Sequence, residues 1–162
     1  MEYSLKFEND YSNAKKYEIF IKDFLIKKGY TFKHFSDDYY NDIEDYKNYD
    51  ILMNKNKDFT IEVKSDKQSH TSNIAIEYNY KGKPSGILRT KSDLWFNIFP
   101  FLNEIWTMKS DELREFCIEN GHKVIGGDKN LSNLYIMKRD WFKENYKGLF
   151  QIIKTEIPIY ND

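Results

Sequence analysis

A chain of 162 residues, 40% hydrophobic and 17% aromatic, is long enough for one domain with its own core and too apolar to stay disordered. Its 25 basic and 26 acidic side chains leave a net charge of −1, so bulk charge supplies no case for a polyanionic partner and any nucleic acid would have to be met by a local patch. Cys117 is the single cysteine, which excludes an intrachain disulfide and a multi-cysteine zinc site and agrees with a reducing, cytoplasmic setting.

MEYSLKFEND at the start has no apolar run of the signal-peptide kind, and no stretch of about 18 apolar residues follows it. An intracellular protein with no membrane partner is expected. Residues 11–28 predict a helix, with Ala14, Tyr17, Ile21, Phe24 and Leu25 on one side, Glu18 at the edge of that stripe and Gly29 as the stop. A short strand (30–35) and an acidic loop (36–48) come next. Strands at 49–53 and 59–65 are joined through NKNKD, a turn-forming stretch that predicts a hairpin about Asn56. NIAIEYNY (73–80) alternates as a strand should, with Ile74, Ile76, Tyr78 and Tyr80 on one face.

After a loop with two glycines and a proline (81–89), TKSD has the spacing of a capping box and predicts a helical turn from Thr90. LWFNIF and EIWTMK read as a further pair of strands, with a helix as the alternative for the first. Ser110 to Asn120 predicts a helix with Ser110 as N-cap, Asp111 and Glu112 in its first turn and Gly121 at its end. The remainder, HKVIGGDKNLSNLYIMK and LFQIIKTEIPIY, reads as strands around a Gly-Gly-Asp turn at 126–128. No repeat or linker interrupts the chain, so a single α/β domain over 1–162 is expected.

The chemistry concentrates in YDILMNKNKDFTIEVK (49–64). Side chains two apart on a strand share a face, so Thr60, Glu62 and Lys64 oppose Phe59, Ile61 and Val63. A turn about Asn56 sets Asp50 across from Glu62, Ile51 across from Ile61 and Met53 across from Phe59. The two carboxylates then stand roughly 5 Å apart at Cβ, where they repel each other unless a cation intervenes. Lys64 offsets one charge. A divalent ion offsets both, and Mg²⁺ is content with one or two carboxylates plus water and phosphate oxygens. Asp50 and Glu62 as metal ligands, with Lys64 positioning a nucleophile or offsetting developing charge, describe a phosphodiester-cleaving site.

Asp50, an eleven-residue gap and Glu62-Val63-Lys64 resemble the signature of the PD-(D/E)XK nuclease superfamily, with Tyr49 standing where the family name has proline. The resemblance implies a restriction-endonuclease-like core, a central mixed β-sheet flanked by helices. It also implies Mg²⁺ or Mn²⁺ held by Asp50, Glu62 and the Val63 carbonyl, a catalytic Lys64, and an acidic residue from an N-terminal helix, which Glu18 matches. Asn73, Glu77, Ser85, Gly86, Thr90, Asp93 and Trp95 are similar, in that order, to the block after the catalytic lysine in phage-type members, and Gly126-Gly127-Asp128 extends the likeness. From Glu18 to Trp95 it covers a little under half the chain. The function it implies is a metal-dependent deoxyribonuclease of phage or mobile-element type, with DNA as partner and a homodimer compatible with it. A catalytically silent nucleic-acid-binding domain or a protein-interaction (inhibitor) domain on the same fold is the alternative.

Lys81, Lys83, Arg89 and Lys91 fall in one run without an acid and read, with Ser85 and Thr90, as phosphate contacts. Glu77 shares a strand face with Ala75 and Asn79 and is a further site residue by the same block. His34, His70 and His122 lack ligand spacing. Cys117 reads as a small buried hydrophobe, and Trp95, Trp106 and Trp141 as core.

Overall fold

Strand β3 (Asp58–Ser65) lies third in a six-stranded sheet, and its neighbours decide where the site forms. The computed structural model describes residues 2–38, 48–66, 68, 70–126 and 130–160, with the side chains of residues 2–11 outside the description. Gly127 and Asp128 of the expected turn, and most of the acidic loop, lie outside the described residues.

Helix α1 (Glu2–Lys27) leads into β1 (Thr31–Phe35), β2 (Ile51–Asn54) and β3. The second sheet begins with β4 (Asn73–Tyr80) and the two-residue β5 (Lys83–Pro84), after which the chain returns to the first in β6 (Leu94–Phe99) and β7 (Glu104–Lys109). Then come α2 (Ser110–Asn120), β8 (His122–Gly126), β9 (Ser132–Lys138), α3 (Arg139–Asn145) and β10 (Phe150–Lys154). The first sheet runs β1-β2-β3-β6-β7-β10 and is mixed, since β3 and β6 are parallel and its other pairs antiparallel. The fold is therefore α/β with a central mixed sheet flanked by helices. A separate antiparallel sheet, β5-β4-β9-β8, is an addition to that expectation.

Two apolar clusters clasp the first sheet. On one face, Tyr17, Ile21 and Leu25 of α1 meet Ile51, Met53, Ile61, Val63, Phe96 and Ile98. On the other, Trp95, Phe99, Trp106 and Met108 meet Ile74, Ile76 and Tyr135 of the second sheet together with Leu113, Phe142 and Tyr146. Being covered on both faces explains why LWFNIF and EIWTMK are apolar almost throughout, a pattern that also fits a buried helix segment until the pairing partners are known.

Several elements depart from the sequence reading. Helix α1 begins at Glu2, well before residue 11. Among its described side chains the first buried one is Asn13, and Ala14 is exposed. Gly29 does end it, at φ +84. The N-cap of α2 is Lys109, because Ser110 is already helical and buried against Ser92 Oγ at 2.8 Å. Helix α3 was not anticipated, although Phe142 and Tyr146, one turn apart and both buried, carry its signal. Trp95 and Trp106 are core, but Trp141 is 39% exposed.

No helical turn starts at Thr90. The 3-10 turn lies just upstream at Gly86–Leu88, and the polar side chains of TKSD bind across the sheet. Asp93 Oδ2 accepts from Thr60 N at 2.7 Å and Oγ1 at 2.9 Å, and Asp93 N donates back to Thr60 Oγ1 at 3.0 Å. That reciprocal bond aligns the start of β6 on β3.

Gly86 binds the 3-10 turn to β4. Its φ is +46, and a Cβ there would stand 2.2 Å from the Glu77 carbonyl oxygen, a backbone atom that cannot swing aside. Gly82, at φ +79, has nothing within 4 Å of the same position. Gly86→Ala is therefore expected to lower unfolding stability by at least about 2 kcal/mol, against about 1 kcal/mol of backbone strain alone for Gly82→Ala. Urea denaturation of the two variants measures the difference, and equal losses would mean that the turn does not depend on this close approach.

Candidate active site

Beyond Ile61, β3 has lost one neighbour. The β2–β3 register runs Ile51↔Ile61, Leu52↔Thr60, Met53↔Phe59 and Asn54↔Asp58, the hairpin expected from the sequence, and Asp50 N still donates to Ile61 O at 2.8 Å. Among the described residues, 62–65 have no strand partner on that edge while pairing β6 on the other. Val63 N–H, which points toward the missing partner, is taken by the Asp50 carboxylate, Oδ2 accepting at 2.7 Å. Val63 C=O leaves the same edge of the strand, so it faces the side on which Asp50 sits.

Glu62 and Lys64 lie on the opposite face of β3 from buried Val63 and Ile61, as the alternation requires. Lys64 Nζ stands 2.5 Å from Glu62 Oε1, and its side chain is 40% exposed. The other Glu62 oxygen is 3.0 Å from Thr90 Oγ1. Glu18, on α1, is held by Lys15 at 3.1 Å, and its field reaches both Asp50 and Lys64. Lys64 is thus paired with Glu62 and lies within the field of Asp50 and Glu18, with Lys15 shared between Glu18 and Asp37 at the margin.

The titration of the cluster follows from that crowding. Burial pushes the Asp50 carboxyl up to about 7, with Lys64 opposing the shift and the like charges of Glu62 and Glu18 adding to it. Burial raises Glu18 too, against the pull of Lys15. Burial works to lower Lys64, but the surrounding carboxylates, Glu62 first, win and hold its ammonium above the usual lysine value.

Thr90, expected to touch phosphate, does something else. It is 3% exposed, and its hydroxyl sits 3.0 Å from Glu62 Oε2, from Asn48 O and from Ser92 Oγ. Its single proton serves either Glu62 Oε2 or Asn48 O, so Thr90 stands as a strap between the Glu62 carboxylate and the segment leading to Asp50, and Lys91 N holds that segment as well by donating to Asn48 O at 2.8 Å. Arg114, which the sequence reading passed over, fixes the strap from α2: Nε donates to Ile87 O at 2.8 Å and Nη2 to Thr90 O at 2.7 Å. An arginine fork reaching two carbonyls is a job lysine cannot copy.

Ser85 is likewise committed, donating to Glu77 Oε1 at 2.7 Å, while Ser132 donates to Glu77 Oε2 at 2.6 Å. Glu77 is thus a clamp for the Ser85–Gly86 turn, with one hydroxyl on each of its oxygens. Lys81, Lys83, Arg89 and Lys91 are exposed as expected. Glu62, Lys64, Glu77, Ser85, Arg89 and Thr90 line a common cavity of about 290 Å³, together with Tyr80 and Gly86. Asp50, Glu18, Lys81, Lys83 and Lys91 do not line it. Larger hollows of about 420 and 640 Å³ lie elsewhere, between α2 and α3 and beside Phe59 and Leu94.

Cys117 is buried, and burial pushes its thiol up to about 12, which removes it as a nucleophile. Among the described residues no helix is long and apolar enough to cross a membrane. No family model, curated protein or solved structure matches the chain. Function has to be read from its own side chains.

The buried carboxylate of Asp50 ties stability to pH. Between the ordinary aspartate value of 3.8 and about 7, the folded chain holds a proton that the unfolded chain has released, so this group's contribution falls as pH rises through that window. In metal-free buffer, Asp50→Asn is expected to be more stable than the parent at pH 8 by of order 1–4 kcal/mol, with the gap closing toward pH 4. Urea midpoints at pH 4, 6 and 8 check this; a gap that does not change with pH would show that Asp50 is not buried in its charged form.

Proposed function

We propose that the chain is a divalent-metal-dependent nuclease that hydrolyses phosphodiester bonds in DNA. The observation that carries this reading is the convergence of Asp50, Glu62 and Lys64 where β3 outruns β2, with a basic segment beside them. The donor set suits Mg²⁺ or Mn²⁺: two hard carboxylate oxygens and a carbonyl, with no thiolate and no paired imidazole. Three acids around one lysine leave negative charge that a divalent ion would neutralise. Asp50, Glu62 and the Val63 carbonyl would hold it, and when bound it supplies Lewis acidity toward a phosphate oxygen and a more acidic water.

The chain's own groups do the rest. Thr90 fixes one oxygen of Glu62, so its carboxylate enters the site in one orientation. Lys64 reaches from the same strand face into the cavity, where its ammonium can hold the attacking water or offset charge growing on the phosphate oxygens. Arg89 lines that cavity from the basic segment, and the exposed Lys81, Lys83 and Lys91 of the same segment would meet the phosphate backbone outside it. Glu18 adds negative charge behind Asp50 and sets how strongly the pair attracts a cation.

A cleavage assay over linear, nicked, branched and single-stranded DNA tests the reading. Activity is expected with Mg²⁺ or Mn²⁺ and not in excess EDTA, and Glu62→Gln and Lys64→Ala are each expected to lose at least about a hundredfold while still unfolding cooperatively in urea. Wild-type rates in a folded Lys64→Ala protein would overturn the assignment. Replacing any two of Lys81, Lys83, Arg89 and Lys91 by Ala is expected to flatten the dependence of log K on log salt by about 0.9 per lost contact on duplex, or about 0.7 on a single strand. An unchanged slope would remove the segment from the interface.

A further inference from the structure

Strict alternation along β4 would put Tyr80 beside Ile74, Ile76 and Tyr78 on the core face. The ladder with β9 prevents it. Glu77 pairs with Leu134, Asn79 with Asn133 and Tyr80 with Ser132, so Tyr78 is an extra residue opposite no partner of its own. This bulge reverses the parity of the strand. Tyr78 stays in the interior, stacked on Tyr135 with centroids 4.3 Å apart. Tyr80 joins the face of Glu77, where Ser132 reaches the Glu77 carboxylate, and its ring lines the cavity that holds Glu62, Lys64 and Arg89.

The corner that presents the ring is rigid. Lys81 and Gly82 both have positive φ, at +50 and +79, the signs a two-residue hairpin needs. Gly82 N donates to Asn79 Oδ1 at 2.9 Å, and Lys81 N to Leu131 O at 2.9 Å. Lysine is an uncommon residue at positive φ, and the bulge breaks the ladder as well. Both irregularities turn one aromatic ring, still 40% exposed, out of the core and toward the candidate catalytic lysine.

We propose that Tyr80 is a stacking platform for a single unpaired nucleobase next to the scissile phosphate, and that the substrate is therefore single-stranded or locally opened DNA. This rests on the nuclease reading above and goes beyond it. In a continuous duplex each base face is covered by its neighbours, so a ring beside the backbone meets only edges and phosphates; an unpaired base offers its π-face. The cavity, at about 290 Å³, is at the lower limit for a small ligand, which suits one base. Arg89, on the same wall, takes the adjoining phosphate.

Binding is measured in EDTA by fluorescence anisotropy, with the full chain and three labelled probes: a single strand, the same strand in duplex, and the single strand with one abasic position stepped along it. Tyr80→Ala is expected to weaken single-strand binding roughly 5- to 150-fold and to leave duplex binding unchanged, while Tyr80→Phe and Tyr80→Trp retain it. One abasic position should reproduce the loss in the parent chain and cancel the effect of Tyr80→Ala. Equal losses on single strand and duplex, or none on either, overturn the proposal. Metal-dependent cleavage that is indifferent to Tyr80 overturns this inference alone, whereas a parent chain that neither binds nor cleaves any DNA overturns the nuclease reading with it.

Discussion

Among the described residues the N–H of Val63 has no strand to bond with, because β2 begins only at Ile51 while antiparallel β3 continues to Ser65. A backbone donor in a packed interior has to be satisfied, and the Asp50 carboxylate does it. That bond draws a carboxylate into a poorly hydrated place beside Glu62 and within the field of Glu18. Lys64 is held charged as a consequence. The same forked sheet thus creates the acid pair, strains it electrostatically and supplies the cation that partly relieves it. Shortening β3 or lengthening β2 would let the ladder satisfy Val63, and the reason for burying Asp50 would be gone.

What fixes the cluster is a strap on its far side. Arg114 grips the carbonyls of Ile87 and Thr90, the Thr90 hydroxyl stands within donating distance of both Glu62 and Asn48, and Glu77 pins Ser85 against β4. Each bond is modest alone, about 1 kcal/mol net for a neutral pair and more where a charge takes part. Their value lies in direction. Glu62 is a flexible side chain, and fastening one oxygen to Thr90 while the other meets Lys64 removes most of its freedom before any ligand arrives.

How much of this could be read beforehand depended on the range of the signal. The β2–β3 register was legible because period-two alternation and a short polar turn are both local, and together they fix which residue opposes which. Helix α2 was legible for the same reason. Tyr80 was assigned to the wrong face because a bulge is set by the partner strand, and β9 lies more than fifty residues away. TKSD has a helix-start pattern, but its hydroxyl and carboxylate found stronger partners in Glu62 and Thr60; a capping box describes only what the local backbone offers. Arg114 left one usable trace: the chain has three arginines, Arg89, Arg114 and Arg139, among its 25 basic residues. Arg139 likewise reaches a backbone carbonyl, donating to Asn73 O at 3.1 Å.

The net charge of −1 conceals a separation of charge that bears on how the site would work. The charges of Glu18, Asp50 and Glu62 act together on Lys64, whereas Arg89 shares a cavity with Glu62 and Lys64 and Lys81, Lys83 and Lys91 of the same basic segment are exposed. On the proposed function a polyanion would be drawn to the basic residues and repelled by the acids, and a divalent cation would be drawn to the acids. On the nuclease reading each removes the obstacle to the other, since a cation on the carboxylates lets a phosphate approach and a phosphate supplies oxygens that two carboxylates and a carbonyl leave lacking. Thermodynamic linkage then requires that the two strengthen each other's binding by the same factor. Neither average composition nor overall charge can express such coupling, because it resides in the few ångströms between the end of β2 and the strap that carries Thr90.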